Sequence, residues 1–192
     1  MRDLKGLGVL LLGFFPWILF LGLSGKTLAS LERATVTGLA ASLLLGLREL
    51  KRGYILQWGT LIFFAACVVS VNLLKIIWVA RNMDLLANGA LALTMWVTVI
   101  AGMPFALQYA RNDVPKDYWQ NPAFIRGCYQ ITIVWAGLMT LATAVSVLRR
   151  TPLLHLPDSA YFVISVCIIV AGLAYTTMFR RRKRLQRERA AA

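Results

Sequence analysis

The chain has 192 residues, 59% of them hydrophobic and only 15% charged, with a net charge of +13. Soluble domains are about half apolar and about a quarter charged, so a water-soluble fold of this length cannot hide the apolar surface, and lipid becomes the expected solvent. The cations gather at the ends of apolar runs and at the C-terminus, not on a basic soluble fold, which argues against a nucleic-acid surface.

A helix needs about 20 mainly apolar residues to cross roughly 30 Å of hydrocarbon. Six such runs can be placed, which predicts an all-α, polytopic bundle over 1–179 and a basic tail over 180–192. Span 1 runs from about Leu7 to Leu23 with Pro16 in its middle, where the missing N–H predicts a kink. The run is too long for a signal-peptide core, and no small-residue cleavage site follows it, so it is read as a retained span. Span 2, about Leu28 to Leu47, opens on Glu32-Arg33 and is the weakest of the six. Gly38, Ser42 and Gly46 recur on one of its faces as a small-residue stripe, which suits close helix packing inside the bundle better than an oligomer interface.

Span 3 covers about Tyr54 to Leu74 and is followed by Lys75. Span 4 covers about Leu85 to Leu107, with a bend or stop expected at Gly102-Met103-Pro104. Span 5 covers about Cys128 to Leu148, with Thr140, Thr143 and Ser146 able to face a neighbour, and span 6 about Tyr161 to Phe179. Between spans 4 and 5, Tyr109, Tyr118, Trp119 and Phe124 sit among charges and prolines and read as an interfacial aromatic belt. The tail carries Arg180, Arg181, Arg182, Lys183, Arg184, Arg187 and Arg189, a cluster that suits contact with anionic lipid as well as a topology anchor.

With six spans, one side of the membrane holds fifteen Lys and Arg and the other six. The positive-inside rule then places both termini in the cytoplasm, with Arg149-Arg150 the one local dissent.

None of the eight acids is predicted at mid-membrane, which argues against an ion-coupled pump. Lys75 lies about 21 residues past Tyr54, roughly 31 Å along a helix. It therefore reaches the far interface, where it can snorkel or share a polar pocket with Asn72 one turn earlier. His155 is the only histidine; Cys67, Cys128 and Cys167 form no CxxC pair. Neither a metal site, a haem, nor a disulfide framework is expected. No nucleophile has an evident base and no catalytic motif is present, so the reading is non-enzymatic and cofactor-free.

Three stretches carry a resemblance: Phe14-Phe15-Pro16-Trp17-Ile18-Leu19-Phe20, the basic turn Arg48-Glu49-Leu50-Lys51-Arg52-Gly53, and Pro104-Phe105-Ala106-Leu107-Gln108-Tyr109-Ala110-Arg111 with Val114-Pro115-Lys116-Asp117-Tyr118-Trp119, leading toward Trp135. Their order along most of the chain resembles the bacterial intracellular septation protein A family. The stretch between Trp119 and Trp135 is longer here, and the basic tail is an addition. The resemblance implies a multi-pass protein of the bacterial inner membrane that supports envelope maintenance or division. Its partners would be the bilayer, other inner-membrane proteins, or a second copy of itself. It implies no catalytic residue. The alternative from another class is a small-solute transporter or channel, with Pro16, Asn72, Lys75, Pro104 and Thr140 along its pathway. A third, an intramembrane enzyme acting on a lipid or isoprenoid, lacks paired acids facing one cavity.

Overall fold

The computed structural model describes the backbone of residues 2–25, 27–112, 114–151 and 157–191, and side chains from 13 to 183 within those ranges except 158, 159 and 162. Every regular element among the described residues is helical. In chain order these are α1 (Arg2–Leu23), α2 (Leu28–Leu45), α3 (Leu47–Lys51), α4 (Ile55–Cys67) prolonged by a π-helix (Val68–Leu73), α5 (Ile77–Arg81), α6 (Met83–Ile100), α7 (Phe105–Ala110), a 3-10 turn (Lys116–Tyr118), α8 (Pro122–Leu148) and α9 (Asp158–Ala191).

Five helical stretches are long and apolar enough to cross a membrane: Leu28–Leu45, Ile55–Leu73, Met83–Ile100, Pro122–Leu148 and Val163–Lys183. α1 is 22 residues long, and its described apolar part is Gly13–Leu23. Pro16 lies within α1 and is fully buried.

Local chemistry sets the helix ends. Thr27 caps α2 by accepting the Ser30 N–H. Asn121 caps α8 by accepting from Ala123 and Phe124, with Pro122 at the first helical position, where its missing N–H costs nothing. α8 therefore starts six residues before the expected Cys128. Between α3 and α4, Gly53 takes φ +71°, open to glycine without strain, and lets Tyr54 N–H close onto the Glu49 carbonyl.

The bend or stop expected at Gly102-Met103-Pro104 is a stop: α6 ends at Ile100, short of the expected Leu107, and Pro104 opens a separate short helix instead of kinking one. Gly102 at φ +73° turns the chain, and proline cannot donate into the preceding turn. The reversal is pinned by Thr98, whose carbonyl accepts the Met103 N–H at 3.0 Å and whose hydroxyl accepts the Phe105 N–H at 3.2 Å. α7 is thereby tucked inward, with Phe105, Ala106, Leu107, Gln108 and Tyr109 all buried. The basic segment from 180 onward continues α9 as one helix to Ala191.

Side-chain pairings fix the packing directions. Ser42 with Gln57, Gly38 with Phe64, and Thr35 with Asn72 set α2 antiparallel to α4. Gly59 with Thr94 and Cys67 with Met83 do the same for α4 and α6, as do Asn88 with Ser146 and Trp96 with Thr140 for α6 and α8. Gly127 with Phe179 and Trp135 with Thr176 set α9 against α8. α1 runs parallel to α4, through Trp17 with Thr60 and Phe20 with Phe64. The start of α1 and the end of α9 consequently lie at one end of the bundle.

The interior is aromatic at its centre. Trp17 stacks on Phe63 at 4.9 Å and tilts against Phe64, while Phe14 stacks on Trp135 at 5.8 Å and meets Phe105 edge-on. Such ring pairs add to burial through offset and edge-to-face geometry. The interior also holds buried threonines, Thr60, Thr98, Thr132 and Thr176, whose hydroxyls donate to carbonyls of their own helices. The outside is at least as apolar: Ile100 is 83% and Leu44 79% exposed, with Leu93, Ile62 and Leu73 close behind. Apolar outside with hydroxyls inside is the pattern expected where lipid is the solvent.

Candidate functional site

Polar clusters occupy the two ends of the bundle, and the ion pairs among the described residues gather at one of them. At the end holding the start of α2 and the close of α4, the π-helix widens the last turns of α4: Leu74 N–H reaches back to Val69 and Ile76 N–H to Ser70. π-turns insert an extra residue per turn and recur at functional sites. Here the register places Asn72 against α2. Asn72 Oδ1 accepts from the Thr35 hydroxyl at 3.2 Å, and its amide donates to the Glu32 carbonyl at 3.3 Å. Lys75 follows in a left-handed conformation, φ +52°, uncommon for a residue with a side chain. Its Nζ meets Glu32 Oε1 at 2.6 Å.

Asn72 and Lys75, singled out from the sequence, are therefore brought together, but through Glu32 and Thr35, neither of which had been assigned to the pocket. The signal was present: Glu32 and Lys75 are opposite charges at the same-side ends of successive antiparallel spans. Beside them lies an open groove of about 630 Å³, lined by Gly22, Leu23, Glu32, Arg33, Val36, Thr37 and Asn72. Arg33 donates through Nε to the Ala29 carbonyl at 3.2 Å and has no acidic partner among the described residues. One acid and two cations leave this corner with a formal charge of +1.

At the same end, Arg150 binds Asp84 and the Ser146 carbonyl, and its Nε donates to Asn82 Oδ1 at 2.7 Å. Arg149 approaches Asp84 at 3.8 Å.

The opposite end holds a second polar group. Arg52 and Tyr54 both donate to Asn112 Oδ1, and Gln108 ties α7 to α4 by accepting the Ile55 N–H. Tyr109 corrects the belt reading: it is buried, edge-on to Tyr54 at 5.1 Å, because α7 folds back into the bundle. Burial, then the Glu49 carboxylate, then Tyr54 push its phenol above the ordinary tyrosine range, so the hydroxyl stays protonated. That hydroxyl, Glu49 Oε2 and Arg111 Nε are buried without a hydrogen-bond partner among the described residues. Of the other belt residues, Tyr118 is exposed, Trp119 is half-buried under the Arg111 guanidinium, and Phe124 packs on the core.

The small-residue stripe faces α4. A Cβ on Gly38 would meet the Phe64 ring at 2.5 Å, Ser42 is fully buried, and Gly46 lies under the Gln57 amide. In the tail, Arg180 is half-buried, Arg181, Arg182 and Lys183 are exposed, and Lys183 sits 5.9 Å over the Phe179 ring. The side chains of Arg184, Arg187 and Arg189, and the whole of His155, lie outside the described residues. Cys67 and Cys128 are buried and Cys167 faces outward. No group of three His, Cys, Asp or Glu that could hold a metal occurs among the described residues. Comparison with protein-family models, curated proteins and solved structures returned no match.

Proposed function

We propose that this chain is a six-span membrane protein with both termini in the cytoplasm, acting without catalysis by packing against other membrane proteins. The span count adds α1 to the five long apolar stretches. The orientation rests on the fifteen-to-six distribution of cations. A role in bacterial envelope maintenance or division is supported by the sequence resemblance alone.

The observation that carries the non-transporting reading is the filled interior. The central layer is occupied by Phe14, Trp17, Phe64, Phe105 and Trp135, and the ion pairs among the described residues all lie at one end. A solute pathway needs polar groups lining a cavity through the midplane. Thr140, expected along such a route, instead accepts the Trp96 indole on an exposed face.

Two measurements test this. Purified protein in liposomes should pass no small ions or sugars above empty-vesicle leak; flux abolished by Lys75→Ala would replace the reading with transport. A photo-crosslinker at the outward Leu44 or Leu93 should capture discrete membrane proteins in cells, and capture of lipid alone would count against packing partners. For topology, Cys67, Cys128 and Cys167 are first changed to Ala. In intact cells, Arg81→Cys should then react with an impermeant maleimide and Lys51→Cys should not; the reverse pattern inverts the orientation.

A further inference from the structure

The groove beside Glu32 and Lys75 has a shape and charge that select an occupant. Its floor is the backbone at Gly22, where an added Cβ would meet nothing within 4 Å. Its walls, Leu23 and Val36, are both close to half exposed. It is therefore continuous with the outer apolar surface, on which Leu73 is also exposed. At its polar end stands Arg33, five residues into α2, about 7.5 Å along the axis from Leu28. Glu32 is committed to Lys75, so the terminal guanidinium nitrogens of Arg33 are the unspent charge of the site. Asn72 lines the same groove and adds an amide.

We infer that this groove holds one anionic glycerophospholipid, its phosphate on Arg33 and one acyl chain along Gly22, Leu23 and Val36. A water-soluble anion has no use for the apolar walls. A zwitterionic lipid leaves the net positive charge unmatched, and planar guanidinium forks favour phosphate. The inference rests on the membrane placement proposed above. It is distinct from the basic tail, which lies at the other end of the bundle.

The test is native mass spectrometry of the full chain released from detergent with added phosphatidylglycerol or phosphatidylcholine of identical acyl chains. One phosphatidylglycerol should be retained per chain, in preference to phosphatidylcholine. Gly22→Leu places a side chain in the groove, its Cβ meeting nothing within 4 Å, and Arg33→Gln removes the charge. Each should weaken retention about tenfold, the size expected for one charge-assisted contact, while Arg33→Lys should recover part of it. Arg181→Gln with Arg182→Gln should leave it unchanged. Equal retention of both lipids, indifference to Gly22→Leu in a protein that melts normally, or displacement by millimolar inorganic phosphate each overturns the inference. A chain that resists carbonate extraction yet fails these tests loses the lipid site and keeps the membrane reading. A chain that stays folded and monomeric without detergent loses both.

Discussion

Trp17 donates its indole N–H to Thr60 Oγ1 at 3.1 Å, and Thr60 in turn donates to the Leu56 carbonyl of its own helix at 2.9 Å. The same unit recurs twice. Trp135 donates to Thr176, which donates to Gly172, and Trp96 donates to Thr140, which donates to Ala136. In each case the hydroxyl satisfies one polar hydrogen from a neighbouring helix while spending its own locally. The three units tie α1 to α4, α8 to α9 and α6 to α8, and they let a bulky amphipathic ring sit at a helix contact without an orphaned donor.

The first two units are buried and the third is not: Trp96 is 37% exposed and Thr140 is exposed, against 6% and 1% for Trp17 and Thr60. Thr60→Val should therefore destabilise the fold by about 1–2 kcal/mol, because it strands a buried indole N–H. Thr140→Val should cost less, near the average of about 0.6 kcal/mol for hydrogen bonds between membrane helices. Reversible unfolding in mixed micelles measures both. Equal losses at the two sites would show that burial does not grade these bonds.

Gly13 lies under Tyr109, where a Cβ would stand 2.7 Å from the phenol oxygen and 3.0 Å from Cζ. Gly13→Ala should cost about 1–3 kcal/mol through overpacking. Tyr109→Phe removes a hydroxyl that is buried and unpartnered among the described residues, so it should be neutral or stabilising by up to about 1 kcal/mol. It should also relieve part of the Gly13→Ala penalty in the double variant. A marked loss on Tyr109→Phe alone would reveal a polar partner such as a buried water.

Two glycines give an internally controlled comparison. A Cβ on Gly38 meets the fully buried Phe64 ring at 2.5 Å, whereas one on Gly137 meets nothing within 4 Å. Gly38→Ala should lose about 1–3 kcal/mol through overpacking. Gly137→Ala should gain roughly 0.5–1 kcal/mol from backbone entropy and helix propensity. Unfolding midpoints that move the same way for both would remove the packing explanation of the small-residue stripe.

Hydropathy and length make the long helices legible, since each apolar run near 20 residues has few alternatives. What escaped the sequence was long-range or conformational. Glu32 meets Lys75 across 43 positions; their opposite charges at same-side span ends hint at the pair, but the contact itself depends on the register of α4 against α2. The π-helix has no sequence signature, and without it the register at Asn72 is not defined. Tyr109 misled because an aromatic beside arginine and proline reads as an interface. Its burial depends on the Gly102 turn sending α7 inward rather than along the membrane surface. The tail's cations gave no sign that α9 would continue unbroken past Phe179.

Arg149-Arg150 opposes the charge bias of the remaining loops, and its contacts supply a structural reason for keeping it. Arg150 binds Asp84, Asn82 and the Ser146 carbonyl at once, closing the end of α8 onto the start of α6. Asp84 is more than a third exposed, so its carboxylate contributes little on its own. Asp84→Asn should cost no more than about 1 kcal/mol, and the difference should shrink in high salt. It should leave topology unchanged, because acids weigh little in the positive-inside rule. Arg150→Ala removes the contacts to Asn82 and the Ser146 carbonyl as well, so it should cost more than Asp84→Asn and retain most of that excess in high salt. Identical, salt-sensitive losses for the two variants would mean that only the ion pair matters at this corner.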